Sequence, residues 1–233
     1  MRQTAYLMIA LPALALAACS KPADKETAAP TESAAMTDAA PDSAAEGDEG
    51  AQAVDFAAAR SGLYTVDPGH HQLLFNYLHQ GYSLSWVRWS DWTSEINWNA
   101  EDPEASTVTV TVNVPGIDTG VPALDDHLKS AGFFDAENNP QITFSSTSLE
   151  RTGPTTGKLA GDLTIKGVTR PVTLDVTINK AGFDERNNAY KLGFSAKGTL
   201  SRSEFGLGAY VPIVGDEINF IVEAEYLSPA EVK

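Results

Sequence analysis

The 233-residue chain has one cysteine, Cys19, so no internal disulfide can staple any part of it. Bases are scarce: 16 lysines and arginines stand against 31 aspartates and glutamates, a formal net charge of −15. Phosphate binding needs basic stripes, so a nucleic-acid partner is excluded. No apolar run reaches the ~20 residues that span a bilayer as a helix. Signatures of catalysis are missing as well. No GxSxG elbow exposes Ser83, Ser85 or Ser203, there is no P-loop, and Gly206-Leu207-Gly208 is too short to stand for a dinucleotide fingerprint. The four histidines, His70, His71, His79 and His127, come without HExxH or Cys/His ligand arrays. No metal, cofactor or catalytic set is expected, and the histidines read as hydrogen-bonded structural groups.

What is present begins with an address. Residues 1–19 read MRQTAYLMIALPALALAAC. Arg2 supplies a positive start, and Tyr6 to Ala18 is an apolar run of signal-peptide length. Its close, Leu16-Ala17-Ala18-Cys19, resembles the bacterial lipobox, in which cleavage leaves a lipidated cysteine. An ordinary signal peptide ending beside a cysteine is the competing reading. Residues 1–18 are expected to be a lipoprotein signal peptide and Cys19 the lipidation site. Ser20 rather than aspartate follows, which by resemblance to proteobacterial lipoproteins favours the outer membrane, facing the periplasm. Residues 19–60 then carry nine acids against Lys21, Lys25 and Arg60, with Phe56 the single aromatic. So little apolar bulk cannot offset the entropy of ordering, and an acidic tether is expected. Such a tether spans roughly 35 Å when flexible and at most ~145 Å extended.

Residues 61–233 read as one all-β domain, a size that one core can serve. Strict alternation marks strands with one buried face. Thr107 to Val114 puts four valines on one side, and Pro171 to Ile178 repeats the pattern. Leu159, Gly161, Leu163 and Ile165 continue it, as do Leu192, Phe194 and Ala196, then Ile218, Phe220, Val222, Ala224 and Tyr226. Turn signals at Pro115-Gly116, Gly153-Pro154, Gly167, Asn187-Asn188 and Gly215-Asp216 separate the runs. About eight strands suit a closed antiparallel barrel, whose interior fills with side chains or holds one small ligand. Pro122 to Ala131 reads as a short amphipathic helix, with Leu124, Leu128 and Ala131 on one face. Followed by Phe133 and Phe134, it would plug or gate one barrel end.

Residues 82–98 hold all four tryptophans, and Trp89 has the opposite parity to Trp86, Trp92 and Trp98. Large apolar groups pointing both ways fit a strand that is bulged or covered outside. They equally fit a wall with one face on the core and the other on a ligand or membrane.

Five ordered blocks resemble the YceI-like family of periplasmic proteins, from about Leu63 to Tyr226. Tyr64-Thr65-Val66-Asp67-Pro68-Gly69-His70 opens the match, with Phe75, His79 and Gly81 in register. The stretches Ile117 to Gly120, Asp126 to Ser130 and Phe133 to Asp135 follow, then Pro140 to Phe144. Gly161 to Val172 and Arg202 to Gly206 complete it. His71 replaces the family's small serine, and Trp86 and Val87 stand where smaller or more polar residues and a glycine are usual. The resemblance implies an extended, lipocalin-like eight-stranded antiparallel barrel with one or two short helices. It also implies an apolar channel for a polyisoprenoid, an isoprenoid quinone or another long-chain lipid.

Phe75 and Tyr77 on one strand, and Trp86 and Trp92 on the next, are expected to wall a lipid tail. Phe133, Phe134, Phe205 and Tyr210 are expected at its entrance. A lipid carrier or sequestering protein is thus the main expectation. A quinone-holding accessory of envelope electron transfer and a lipid-modifying enzyme using Asp67–His70 or His127–Asp126 are the alternatives. Stable anchoring takes more than one acyl chain, each methylene contributing ~0.8 kcal/mol. Cys19→Ala should therefore abolish membrane retention in cell fractionation; a variant still held as an integral protein would remove the lipoprotein reading.

Overall fold

The computed structural model describes residues 54–229. The expected signal peptide, Cys19 and the tether as far as residue 53 lie outside the described residues. Ten strands form in chain order: β1 (Gly62–His79), β2 (Ser83–Trp89), β3 (Trp92–Trp98), β4 (Thr107–Asn113), β5 (Ile117–Asp118), β6 (Gln141–Arg151), β7 (Thr156–Ile165), β8 (Val168–Asp184), β9 (Ala189–Ser201) and β10 (Glu217–Leu227). One α-helix, α1 (Pro122–Lys129), lies between β5 and β6. The sheet runs β10-β9-β8-β7-β6-β4-β3-β1-β2-β5, and β10 also pairs with β1. Eight of these strands therefore close an antiparallel barrel, and β2 and β5 are additions to it. Among the described residues, four 3-10 turns accompany α1.

The alternating runs become these strands because a closed barrel buries one face of every strand. Lys166 and Gly167 both have positive φ and join β7 to β8 through the two-residue loop favoured by a right-twisted hairpin. Asp67-Pro68-Gly69 does not end a strand. It makes a bulge within β1, where the register to β10 shifts between Val66 and His71. The Asp67 carboxylate accepts the Gly69 N–H at 2.9 Å, closing that kink. Helix α1 starts with Pro122 in its first turn, and the turn before it is fastened by Asp125, which accepts from Thr119 N at 2.8 Å and Oγ1 at 2.6 Å.

Residues 82–98, expected as one extended segment, are two strands broken at Ser90–Asp91. There Ser90 N donates to Gly116 O at 3.1 Å and Asn113 N donates to Asp91 O at 2.9 Å. Both strands lie along the same edge of β1, with β2 against Leu73–His79 and β3 against Gly62–Thr65. The expected domain boundary at Ser61 also moves. Phe56 meets Trp98 edge-on at 6.1 Å under Arg151, Ala59 is fully buried, and Arg60 stacks over Tyr190. These residues close the barrel end at which the chain arrives, so Val54 to Arg60 belong to the domain rather than to a tether.

The opposite end carries the β1–β2 turn, α1 and residues 202–216. This last segment is organised by one buried guanidinium. Arg202 donates from Nε to Gly215 O at 2.9 Å, from Nη1 to Leu207 O and to Ala209 O at 2.9 Å, and from Nη2 to Val214 O at 3.0 Å. Burial lowers its pKa, against the raising charges of Asp216 and Tyr77. Arg202→Met should strand these carbonyls and cost at least about 3 kcal/mol, measured by urea unfolding. Faster amide exchange confined first to residues 207–215 would locate the loss; unchanged stability would show that the guanidinium is dispensable.

Candidate functional site

The barrel is not filled. A cavity of about 520 Å³ runs inside it, within the usual range for small-ligand sites. Its walls are the inward faces of the strands: Leu73, Phe75 and Tyr77 of β1, Val108, Val110 and Val112 of β4, and Val172, Leu174 and Val176 of β8. Across from them lie Ile218, Phe220, Val222, Ala224 and Tyr226 of β10. Ile218 to Tyr226 is eight steps of strand, a length of roughly 26 Å, so the cavity is elongated along the barrel.

Two glycines help keep it open. A Cβ on Gly161 would stand 2.4 Å from the Phe144 ring, and one on Gly198 would stand 2.6 Å from Phe220 Cζ. Each glycine lets an aromatic ring lie flat against the neighbouring strand instead of projecting into the lumen. At the chain-arrival end the cavity meets Trp98, which packs edge-on against Phe194 at 6.3 Å. Phe194 in turn meets Tyr226 at 6.0 Å. The Tyr226 hydroxyl donates to Ser94 Oγ at 3.0 Å, and Ser94 donates to Thr109 O at 2.8 Å, so this polar atom is spent in the wall. Burial pushes its pKa up, against a lowering by the Ser94 bond.

Ser106 also borders the cavity at this end, where its Oγ accepts Asn99 N at 2.9 Å, and the other polar groups open to a ligand gather at the opposite end. His79 and Gln80 come from the end of β1, His127 from α1, and Tyr210 from the 206–215 loop. His127 contacts the Phe133 ring at 4.7 Å, and Phe133 stacks on Tyr210 at 6.1 Å. Phe134 meets Trp89 at 5.4 Å, and Trp89 meets Phe75 at 5.0 Å. Helix and aromatics thus cap this end. The two histidines expected as structural groups, His79 and His127, border the cavity here.

Of the eight side chains expected to line a channel, five do so: Phe75, Tyr77, Phe133, Phe134 and Tyr210. Three do not. Trp86 pairs with Asn76 on the outer face and is 49% exposed. Trp92 points inward but is sealed beneath His71, whose ring lies 4.8 Å away. Phe205, 1% exposed, is folded by a 3-10 turn into the packed core. The two-residue break at Ser90–Asp91 explains the tryptophans, because it inverts parity between β2 and β3. Trp89, Trp92 and Trp98 consequently all turn inward, and Trp86 alone turns out. Trp89 is the lining residue that parity over one unbroken strand put on the wrong face, and Trp98, which shares the parity of Trp92, lines the cavity without having been expected there.

Asp67–His70 does not face the cavity, and of the His127–Asp126 pair only the histidine does. Asp67 and His70 lie 2.9 Å apart on the outside of the β1 bulge, with His70 61% exposed. Asp126 is ion-paired to Lys129 at 3.1 Å and exposed. Among the described residues, Asp67, His70 and Glu225 form one group with metal-ligand spacing. The ammonium of Lys191 already sits there, bonded to Glu225 and 4.0 Å from Asp67. Burial raises the Asp67 carboxyl, but hydrogen bonds from His70 and Gly69 and the charges of His70 and Lys191 outweigh it and hold the pKa below its ordinary value. This is an ion-pair network with its cation built in.

The family model described as the YceI-like domain matches residues 64–226. A UPF0312 protein of Serratia proteamaculans is 32% identical over 178 residues, covering 76% of this chain and 92% of its own. The YceI protein of Campylobacter jejuni superposes with a TM-score of 0.59 at 28% identity, over 63% of this chain and 86% of its own. A polyisoprenoid binding domain from Saccharophagus degradans, 9% identical, shares the fold with a TM-score of 0.55, over 73% of this chain and all of its own. With most of the barrel inside one family model and a third of the residues shared with such relatives, the chain belongs to the YceI-like family.

Proposed function

We propose that the protein is an envelope lipoprotein that holds a long-chain apolar lipid, of polyisoprenoid or isoprenoid-quinone type, inside the barrel for carriage or sequestration. One observation carries this reading: an elongated apolar cavity whose available polar groups gather at one end. A tail along the walls is removed from water at roughly 25 cal/mol per Å² of apolar surface, before association costs. The head then lies beside His79, Gln80, His127 and Tyr210, where ring N–H, amide and hydroxyl donors meet an oxygen-bearing group. The fold shared with a polyisoprenoid binding domain supports the ligand class. The outward placing of Asp67–His70 and Asp126 favours binding over turnover. The envelope location, with Cys19 acylated at the outer membrane, rests on residues 1–20 alone.

Native mass spectrometry of gently extracted protein tests the ligand. Wild type should carry a long-chain lipid, and absorbance of the released molecule distinguishes a quinone ring from a polyprenyl phosphate. Ala196→Trp fills the middle of the cavity without burying a charge and should keep the fold. Excluding even two methylenes costs about 1.6 kcal/mol, so bound lipid should fall about tenfold or more. Thr143→Glu, on the outer face, should bind as wild type does. Wild type that carries no lipid, and takes up none from a panel of polyprenyl phosphates, quinones and fatty acids, would sink the proposal.

A further inference from the structure

We propose that the open end of the barrel is a docking face for a lipid bilayer, formed by the tip of the β1–β2 hairpin and the 206–215 loop. The inference rests on the lipid-binding reading and names the surface from which that lipid is taken. Ten large hydrophobic side chains are exposed among the described residues, and seven belong to these two segments. Leu78, Tyr82, Leu84 and Trp86 lie on the hairpin, and Tyr210, Val211 and Ile213 on the loop. Leu78 and Leu84 are direct cross-strand partners, with Trp86 two residues along the same outer face. Backbone pairing joins the two segments into one surface: His79 bridges Val214, and Gly215 N donates to Leu78 O at 2.8 Å. So concentrated a patch on a monomer marks a contact surface.

Three further observations choose a bilayer as the occupant. The first is charge. In a chain of net charge −15, residues 71–87 and 205–215 contain no Asp, Glu, Lys or Arg, and Arg88 follows directly. No carboxylate on these segments would be desolvated or repelled at an anionic headgroup layer. The aromatic members, Tyr82, Trp86 and Tyr210, also have the amphipathic rings that settle at membrane interfaces.

The second is continuity with the cavity. Residues of the same two segments, His79, Gln80, Tyr210 and Ile213, border its mouth. A chain passing from a docked bilayer into the barrel never crosses water, where each exposed methylene costs ~0.8 kcal/mol.

The third is the length of chain outside the structure. From Cys19 to Val54 is 54 − 19 = 35 residues. Fully extended they reach at most ~120 Å, several times the ~26 Å length of the cavity. A barrel tethered at its far end can therefore still turn its mouth to the membrane.

The test uses the full chain carrying Cys19→Ala, so that no acyl group brings it to the membrane, with phosphatidylcholine vesicles that are plain or brominated on the acyl chains. Docking places Trp86 in the headgroup region, so brominated vesicles should quench its emission and plain ones should not. Trp86→Phe should remove the quenching. Tyr82→Glu/Leu84→Glu should abolish it as well. The apolar leader is common to every variant and cancels. Neither Tyr82 nor Leu84 lines the cavity, so the double variant should keep its lipid by mass spectrometry. Wild type that holds lipid but shows no quenching overturns the docking face and leaves the carrier reading intact. Quenching by a protein whose cavity never takes up lipid supports the docking face and overturns the carrier reading instead. Absence of quenching together with a concentration-dependent dimer, lost in Tyr82→Glu/Leu84→Glu, overturns the bilayer in favour of a second copy pairing at this hairpin.

Discussion

Strand β10 pairs along its length with β9 and, on its other edge, with β1 from Thr65↔Leu227 to Asn76↔Asn219. That seam joins the first and last strands of the barrel, leaving β2 and the short β5 as the free edge among the described residues. It also forces one face of all eight strands toward a common axis, at a circumference that admits side chains and a ligand-sized space between them. The apolar alternation, the rings laid flat over Gly161 and Gly198, and the bulge in β1 are each consequences of meeting that geometry. Without the seam the inward valines would face water, and the cavity would have no second wall.

Much of this was legible because a strand with one buried face writes its period into the sequence. Val108, Val110 and Val112, or Ile218 to Tyr226, need no tertiary information to be placed on one face. Turn chemistry was equally readable at Lys166-Gly167, where only a left-handed pair closes the hairpin. The site was less readable, because alternation states which residues face inward and not which inward residues border empty space. Trp92 and Phe144 both face inward, yet His71 seals the first while the second lines the cavity. That difference depends on neighbours across the barrel, which no local pattern contains.

The misplacement of Trp86 has a narrower cause. Parity arguments assume an unbroken strand, and the bend at Ser90–Asp91 turns even-numbered residues inward beyond it where odd-numbered ones face inward before it. Here the interruption is held by bonds to residues more than 20 positions away, at Asn113 and Gly116. A break stabilised locally would have announced itself through glycine or proline; this one is written as Ser90-Asp91, two polar residues that an outward-facing stretch of strand could equally carry. The packing of residues before Ser61 escaped for a similar reason. Phe56 is one aromatic in a polar run, and its burial depends on Trp98, Arg151 and Tyr190 closing around it.

The same comparison of local and distant support says how anything enters or leaves the barrel. Each wall strand is paired on both edges, with interruptions at the β1, β6 and β8 bulges, so opening the wall means breaking many hydrogen bonds together. The mouth is built otherwise. Helix α1 has no side-chain cap at its start, and the 206–215 loop is fastened chiefly by the Arg202 guanidinium and by its pairing to Leu78 and His79. Local opening free energies are lowest where few contacts hold a segment, so the mouth yields long before the wall does. A rigid apolar tube that loosens only where its polar groups and the uncharged hairpin and loop lie can admit a long chain end-on while keeping its head at the surface. For the lipid proposed above, threading runs tail first toward Trp98 and head last beside His79 and His127.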